Sequence, residues 1–251
     1  MDANTDFSRR LRLASQWAKL YLQRSSWLYQ RVMEWKSRQA PVLLVSKGKT
    51  RIVIEAFPRS GNSFSVRLFR CANPDIDPDT ISHHSHIVSN VKHAVKWGIP
   101  AVVVIRHPID AITSNLIAMG ASGDEFGRLL ARKYRDFYEW VEANRDAVVL
   151  LRFEDMTNGR FKRASEQINA RFGTDFRTDF DETELAAAAR AAIEKGSPHR
   201  SDDSRVPIPT EFRSNASSEL KPSVAANPAV HEAVALYERL IATCSGDGGV
   251  A

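Results

Sequence analysis

Ala101-Val102-Val103-Val104-Ile105 is a run of five apolar residues, and its last four are β-branched. A strand that is apolar at successive positions turns hydrophobic side chains to both sides of its sheet. It therefore belongs in the middle of a parallel sheet with helices covering both faces. The surrounding sequence fits that placement. Residues 51–57 (Arg-Ile-Val-Ile-Glu-Ala-Phe) and 147–153 (Ala-Val-Val-Leu-Leu-Arg-Phe) read as further strands, and Thr80–His84 as a shorter one. Helical periodicity fills the intervals at 64–71, 87–97, 110–119, 124–143, 158–172 and 182–194. Alternation of this kind predicts an α/β fold, a three-layer α/β/α arrangement with a central parallel sheet.

At 251 residues, 43% hydrophobic and 26% charged, the chain suits one such domain with an appendage. A core of that size needs no disulfide or metal. Cys71 and Cys244 are far apart and neither belongs to a C-x-x-C pair. Reduced thiols, as in a cytosolic protein, are the expectation.

The appendage is N-terminal. Leu11, Ala14, Trp17, Ala18, Tyr21 and Leu22 recur at helical spacing, followed by Trp27, Leu28, Val32, Met33 and Trp35. Residues 7–38 carry eight basic side chains against one acid, Glu34, whereas the whole chain has a net charge of +5. Pro41 and the turn at 46–49 close the segment, giving a basic helical arm at 1–48 and a domain at 49–251. A basic amphipathic helix with tryptophans suits a membrane interface, and it equally suits packing on the domain or on a second subunit. The apolar runs are too short to span a bilayer. Arg9, Arg10 and Arg12 precede amphipathic sequence rather than the apolar core of a signal peptide. The expected location is the cytoplasm, with the arm offering peripheral contact at the cytoplasmic face of a membrane. At the other end, residues 196–223, rich in Ser, Pro and charge, read as a long ordered loop or lid before a final helix from Pro228 to about Ala242.

The most informative segment is Pro58-Arg59-Ser60-Gly61-Asn62-Ser63, between the first strand and its helix. A strand that turns abruptly into a helix presents unpaired N–H groups to an anion. Gly61 permits close approach or a positive φ. Ser60, Asn62 and Ser63 add short donors, and Arg59 adds a charged fork. The lysine-bearing Walker pattern is absent, which argues against an ordinary ATPase or GTPase. A second signal follows the apolar strand: Arg106-His107-Pro108-Ile109-Asp110, with Ser114 eight residues after Arg106. An arginine leaving the C-terminal end of a central strand lies where open α/β sheets bind ligands. Arg106 and Ser114 can then hold one phosphate from two sides, and Asp110 is the expected N-cap of the next helix.

Together these segments resemble the sulfotransferase family. Pro58-Arg-Ser-Gly-Asn-Ser-Phe64 is similar to that family's 5′-phosphosulfate loop, and Arg106-x-Pro108-x-Asp110 with Ser114 to its 3′-phosphate motif. Leu151-Arg-Phe-Glu-Asp-Met156 resembles a Tyr-Glu-Asp-Leu segment after a late strand, and the likeness covers roughly residues 50–175. The resemblance implies a P-loop NTPase-like sulfotransferase fold. It also implies transfer of a sulfuryl group from 3′-phosphoadenosine 5′-phosphosulfate (PAPS), giving the product PAP, to a hydroxyl or amine. Arg59, Ser60, Gly61, Asn62, Ser63 and Phe64 would hold the 5′-phosphosulfate, and Arg106 and Ser114 the 3′-phosphate. Phe153, where the family often has tyrosine, would pack on the base without a hydroxyl contact. Arg213 would complete the 3′-phosphate site from the C-terminal loop. Arg59 replaces the family's lysine, keeping the charge but not ready proton donation.

Three histidines, His83, His84 and His86, fall between the two motifs. No nearby cysteine or carboxylate completes a metal site, so no metal is expected. By the resemblance His86, and next His84, is the catalytic base, a role that suits imidazole near neutral pH. The expected acceptor is a small molecule, a glycan or a glycolipid, not a nucleic acid. Two other readings stand beside this one: a nucleotide-dependent kinase or transferase of P-loop type, and a non-catalytic anion- or glycan-binding module on the same scaffold.

Overall fold

The computed structural model describes residues 44–195 and 211–246, together with helical residues 11, 13–18 and 20. Among the described residues four parallel strands form one sheet: β1 (Ile52–Ala56), β2 (Ile81–His83), β3 (Ala101–Ile105) and β4 (Val149–Arg152), in the order β2-β1-β3-β4. The register pairs Ile54 with Val102 and Val103 with Leu150. Among residues 44–195 and 211–246 the helices are, in chain order, α1 (Asn62–Ala72), α2 (Val88–Lys96), α3 (Pro108–Met119), α4 (Asp124–Ala143), α5 (Phe153–Thr157), α6 (Phe161–Phe172), α7 (Glu182–Lys195), α8 (Glu211–Ala226) and α9 (Pro228–Gly246).

Alternation along the strands sends side chains into two cores. Val53, Val103, Ile105 and Leu150 pack with α2, α3, α4, α8 and α9. Ile52, Ile54, Val102, Val104 and Leu151 pack with α1, α5, α6 and α7. This is the expected three-layer α/β/α arrangement. Every residue of β3 is at most 1% exposed, so each Val or Ile there contributes roughly 1.5–3 kcal/mol by burial. That burial fixes the C-terminal ends of β1, β3 and β4 on one edge of the sheet.

Several expectations are corrected. Asp110 does not cap α3. His107 occupies the N-cap and Pro108 the first helical position, where its fixed φ is pre-organised and its missing N–H costs nothing. Asp110 instead sits in the first turn and pairs with Lys221 Nζ at 2.7 Å, linking α3 to α8. Residues 211–223, expected to belong to a loop, lie in a helix that runs to Ala226 despite the internal Pro222. Leu220 and Val224, one turn apart, lay that helix on the core. The rest of the expected loop, 196–210, lies outside the described residues, as does most of the basic arm. Of the arm's described residues, Leu20 is buried, Leu13 packs against the core, and Gln16 Oε1 accepts from Lys133 Nζ on α4 at 2.9 Å. Among the described residues no helix is long and apolar enough to cross a membrane, and no cluster of His, Cys, Asp and Glu could hold a metal ion.

Candidate functional site

A cleft of about 830 Å³ opens at the C-terminal edge of the sheet, walled by the turn after β1, the loop after β2, and α3, α5, α7 and α8. In the first wall Ser60 N–H donates to the Phe57 carbonyl at 3.1 Å, and the chain passes through positive φ at Arg59 (68°) and Gly61 (94°). Gly61 is the N-cap of α1. No side chain caps the helix and its first turn holds no acid, so its leading N–H groups remain available to an anion. Glycine is required here twice over. Besides the left-handed backbone, a Cβ at Gly61 would stand 2.5 Å from Phe153 Cδ2.

The second wall gathers positive charge. Arg106 leaves β3, donates through Nη1 to the Arg59 carbonyl at 3.0 Å, and lies 4.5 Å from the centre of the Phe153 ring. Tyr134 fixes the local chain by donating to the Arg106 carbonyl at 2.9 Å. Ser114 Oγ, on α3, accepts from Arg59 Nε at 3.3 Å and from Arg213 Nη2 at 2.6 Å. Burial lowers the pKa of the Arg106 guanidinium, with Asp110 and Glu154 acting in the opposite sense. Burial and then the neighbouring Arg106 lower that of Arg213. Two guanidinium groups donate to one hydroxyl with a third beside them, an arrangement that an entering anion relieves.

The histidine loop forms the third wall and rests on Glu55. This carboxylate is wholly buried in β1 and accepts from Ser85 N (2.9 Å), Ser85 Oγ, His86 N (3.0 Å) and Asn90 Nδ2 (3.0 Å). Asn62, with its amide turned to satisfy both partners, donates to the Ile54 carbonyl and accepts from His84 N. These anchors hold His84 and His86 at φ of 60° and 54°, in the left-handed region that non-glycine residues seldom occupy.

The three imidazoles differ. His84 is engaged at both nitrogens, Nε2 with Ser63 Oγ at 2.9 Å and Nδ1 with His83 Nδ1 at 2.6 Å. Burial first, then His83, His86 and Arg67, lower the His84 pKa to about 3. Burial, followed by Arg70, Arg67 and His86, takes that of His83 to about 4. His86 Nδ1 lies 2.9 Å from the Ala56 carbonyl. A carbonyl only accepts, so Nδ1 carries the proton and the neutral ring keeps its lone pair on Nε2. Of the two expected bases, His86 has the geometry to take a proton, and His84 is occupied in holding Ser63.

Arg59, Gly61, Asn62, Ser63, Phe64, His84, His86, Arg106, Ser114, Phe153 and Arg213 all line the cleft. Ser60 does not. Its side chain is fully buried beneath the turn, and its N–H is used within it. Asn62 is 3% exposed and braces the histidine loop. Sequence reasoning missed Glu55, although an acid inside an apolar strand was a signal. It also missed Arg190, Ile193 and Glu194, which α7 brings to the cleft and which nothing in the local sequence distinguished.

No protein-family model matches the chain, and no curated protein matches it. Among solved structures, the mouse sulfotransferase SULT7A1 complexed with PAP aligns with a TM-score of 0.45 and 15% identity, over 80% of this chain and 94% of that one. A likeness this loose does not bear on function.

Proposed function

We propose that this protein is a sulfotransferase that uses PAPS to sulfate a hydroxyl or amine of a small-molecule, glycan or glycolipid acceptor. The observation that carries the reading is the convergence of Arg59 and Arg213 on Ser114, beside Arg106 and next to the open start of α1. The residues fit the donor. The cleft offers one anion site at the α1 N-terminus and a second at Arg106, Ser114 and Arg213, with the Phe153 ring between Gly61 and Arg106. A nucleotide with phosphates on both its 5′ and 3′ positions uses both sites. ATP lacks a 3′-phosphate and would leave the second site unanswered.

When bound, the donor supplies a sulfuryl group activated by its bond to phosphate. His86 Nε2 accepts the proton of the acceptor as the acceptor oxygen or nitrogen bonds to sulfur and the sulfur–phosphate oxygen bond breaks. Arg59 and the N–H groups of Asn62 and Ser63 meet the charge left on the phosphate. Positioning and charge stabilisation supply the catalysis, as in phosphoryl transfer.

Calorimetric titration with 3′,5′-adenosine bisphosphate, with ATP and AMP as controls, tests this reading. Selective binding of the bisphosphate is expected. Arg106→Ala should weaken it roughly 10- to 100-fold, the equivalent of about 1.5–3 kcal/mol for a lost charge-assisted contact. Equal or tighter binding of ATP would overturn the reading.

A further inference from the structure

A second cavity, of about 540 Å³, lies away from the transfer cleft along β4. All four residues of β4, Val149 to Arg152, line it. Every ladder partner of β4 belongs to β3, so among the described residues its other side is the edge of the sheet. The groove has a direction. Arg171 Nη1 donates to the Asp146 carbonyl at 2.5 Å, marking the end where β4 begins, and Arg160 Nη1 meets Asp155 at 3.2 Å, marking the end where β4 stops. Between those points α6 runs back alongside the strand. From position 160 to 171 it spans about 16 Å, the length of roughly five extended residues.

Charge in the groove is one-sided. Arg145, Arg152, Arg160, Arg163 and Arg171 line it, and Asp155 is the single acid. Arg152 Nε makes no hydrogen bond and has Glu154 Oε2 as its counter-charge at 3.8 Å. The apolar floor, with Met156 and Ala164, suits small side chains between charged ones. The outer edge of β4 is unpaired by any other described strand and faces the cavity, so it offers main-chain donors and acceptors that an extended peptide completes and a polysaccharide does not.

We propose that this groove docks an extended acidic segment of a partner protein, which lies beside β4 as an additional strand and sets its carboxylates against the α6 arginines. The far end of the groove abuts α5, whose Phe153 and Thr157 line the transfer cleft while Asp155 and Met156 line the groove. A docked partner is thereby presented next to the cleft. The docking does not depend on sulfuryl transfer and stands or falls separately from it.

The test uses the full chain and a fluorescein-labelled octapeptide of alternating Glu and Val, followed by fluorescence anisotropy. Saturable binding is expected. It should weaken at least tenfold in Arg160→Glu/Arg163→Glu, at two exposed positions, with Arg163→Glu alone giving a smaller loss and the thermal midpoint unchanged. The same peptide N-methylated at alternate residues keeps its charge and loses main-chain donors, and it should not bind. Equal binding of the methylated peptide would reject strand addition. Binding of a heparin octasaccharide with none of the peptide would make the groove a glycan site and overturn the proposal, as would peptide binding indifferent to both substitutions.

Discussion

Glu55→Gln removes one charge and leaves the shape of the side chain nearly unchanged. The carboxylate accepts four hydrogen bonds, two from Ser85, one from His86 and one from Asn90, with the Asn62 side-chain amide 3.5 Å from its second oxygen. A glutamine can offer its single oxygen to Ser85 and Asn90, but its NH₂ group then faces the His86 N–H. An unsatisfied buried donor costs about 1–3 kcal/mol, and turning three charge-assisted bonds into neutral ones costs roughly 1 kcal/mol each. Against this, a buried charge is no longer desolvated, which returns several kcal/mol. The net expectation is destabilisation by about 2 kcal/mol, or a thermal midpoint about 4–8 °C lower for a chain of this size. Calorimetry or urea denaturation reads the global effect. Amide hydrogen exchange reads the local one, because the His86 N–H loses its acceptor and should exchange faster than other amides near the sheet. Nucleotide affinity should change little, since Glu55 does not line the cleft. A variant as stable as the parent, with His86 protection intact, would show that desolvation outweighs the donors and that Glu55 does not hold the loop.

Gly61→Ala forces a Cβ against the Phe153 ring and an alanine into φ of 94°; a loss of about 1–2 kcal/mol in stability and weaker bisphosphate binding are expected in denaturation and calorimetry. Arg213→Ala should weaken bisphosphate binding roughly tenfold and flatten its dependence on salt, whereas AMP, without a 3′-phosphate, should bind as before. His83 and His84 are partly buried and their folded-state pKa values, about 4 and 3, lie below the unfolded value of about 6.5. As pH falls below 6.5 the unfolded chain binds protons that the folded one refuses. Stability should therefore decline by up to about 1.4 kcal/mol per pH unit for each ring until its folded pKa is reached. Denaturation midpoints at pH 7 and 5 test this, and His83→Gln should reduce the slope.

The sheet was legible because its strands are short, β-branched and bounded. β3 occupies residues 101–105 and α4 residues 124–143, as the apolar run and the helical period require. The cleft was legible wherever a motif residue acts through charge, through a short hydroxyl or through the lack of a side chain, as at Arg59, Arg106, Ser114 and Gly61. It was not legible where the backbone decides direction. Gly61 advertises a positive φ, but Arg59 adopts one too, and the turn carries Ser60 inward. α8 was hidden by Pro222 and its serines, because tertiary packing through Leu220 and Val224 outweighs poor local propensity. Arg190 reaches the cleft only because α7 packs on α1.

Among the described residues Arg59, His84 and His86 are the side chains held at left-handed φ, with a consequence for anyone seeking sturdier versions of this protein. Glycine or asparagine is more comfortable at such positions, by about 1 kcal/mol or more each. A screen that rewards survival of heating alone would be drawn to these sites, and each gain there would remove a cation or an imidazole from the cleft. Heat tolerance and chemistry compete at those three residues, so variants should be sought with them fixed.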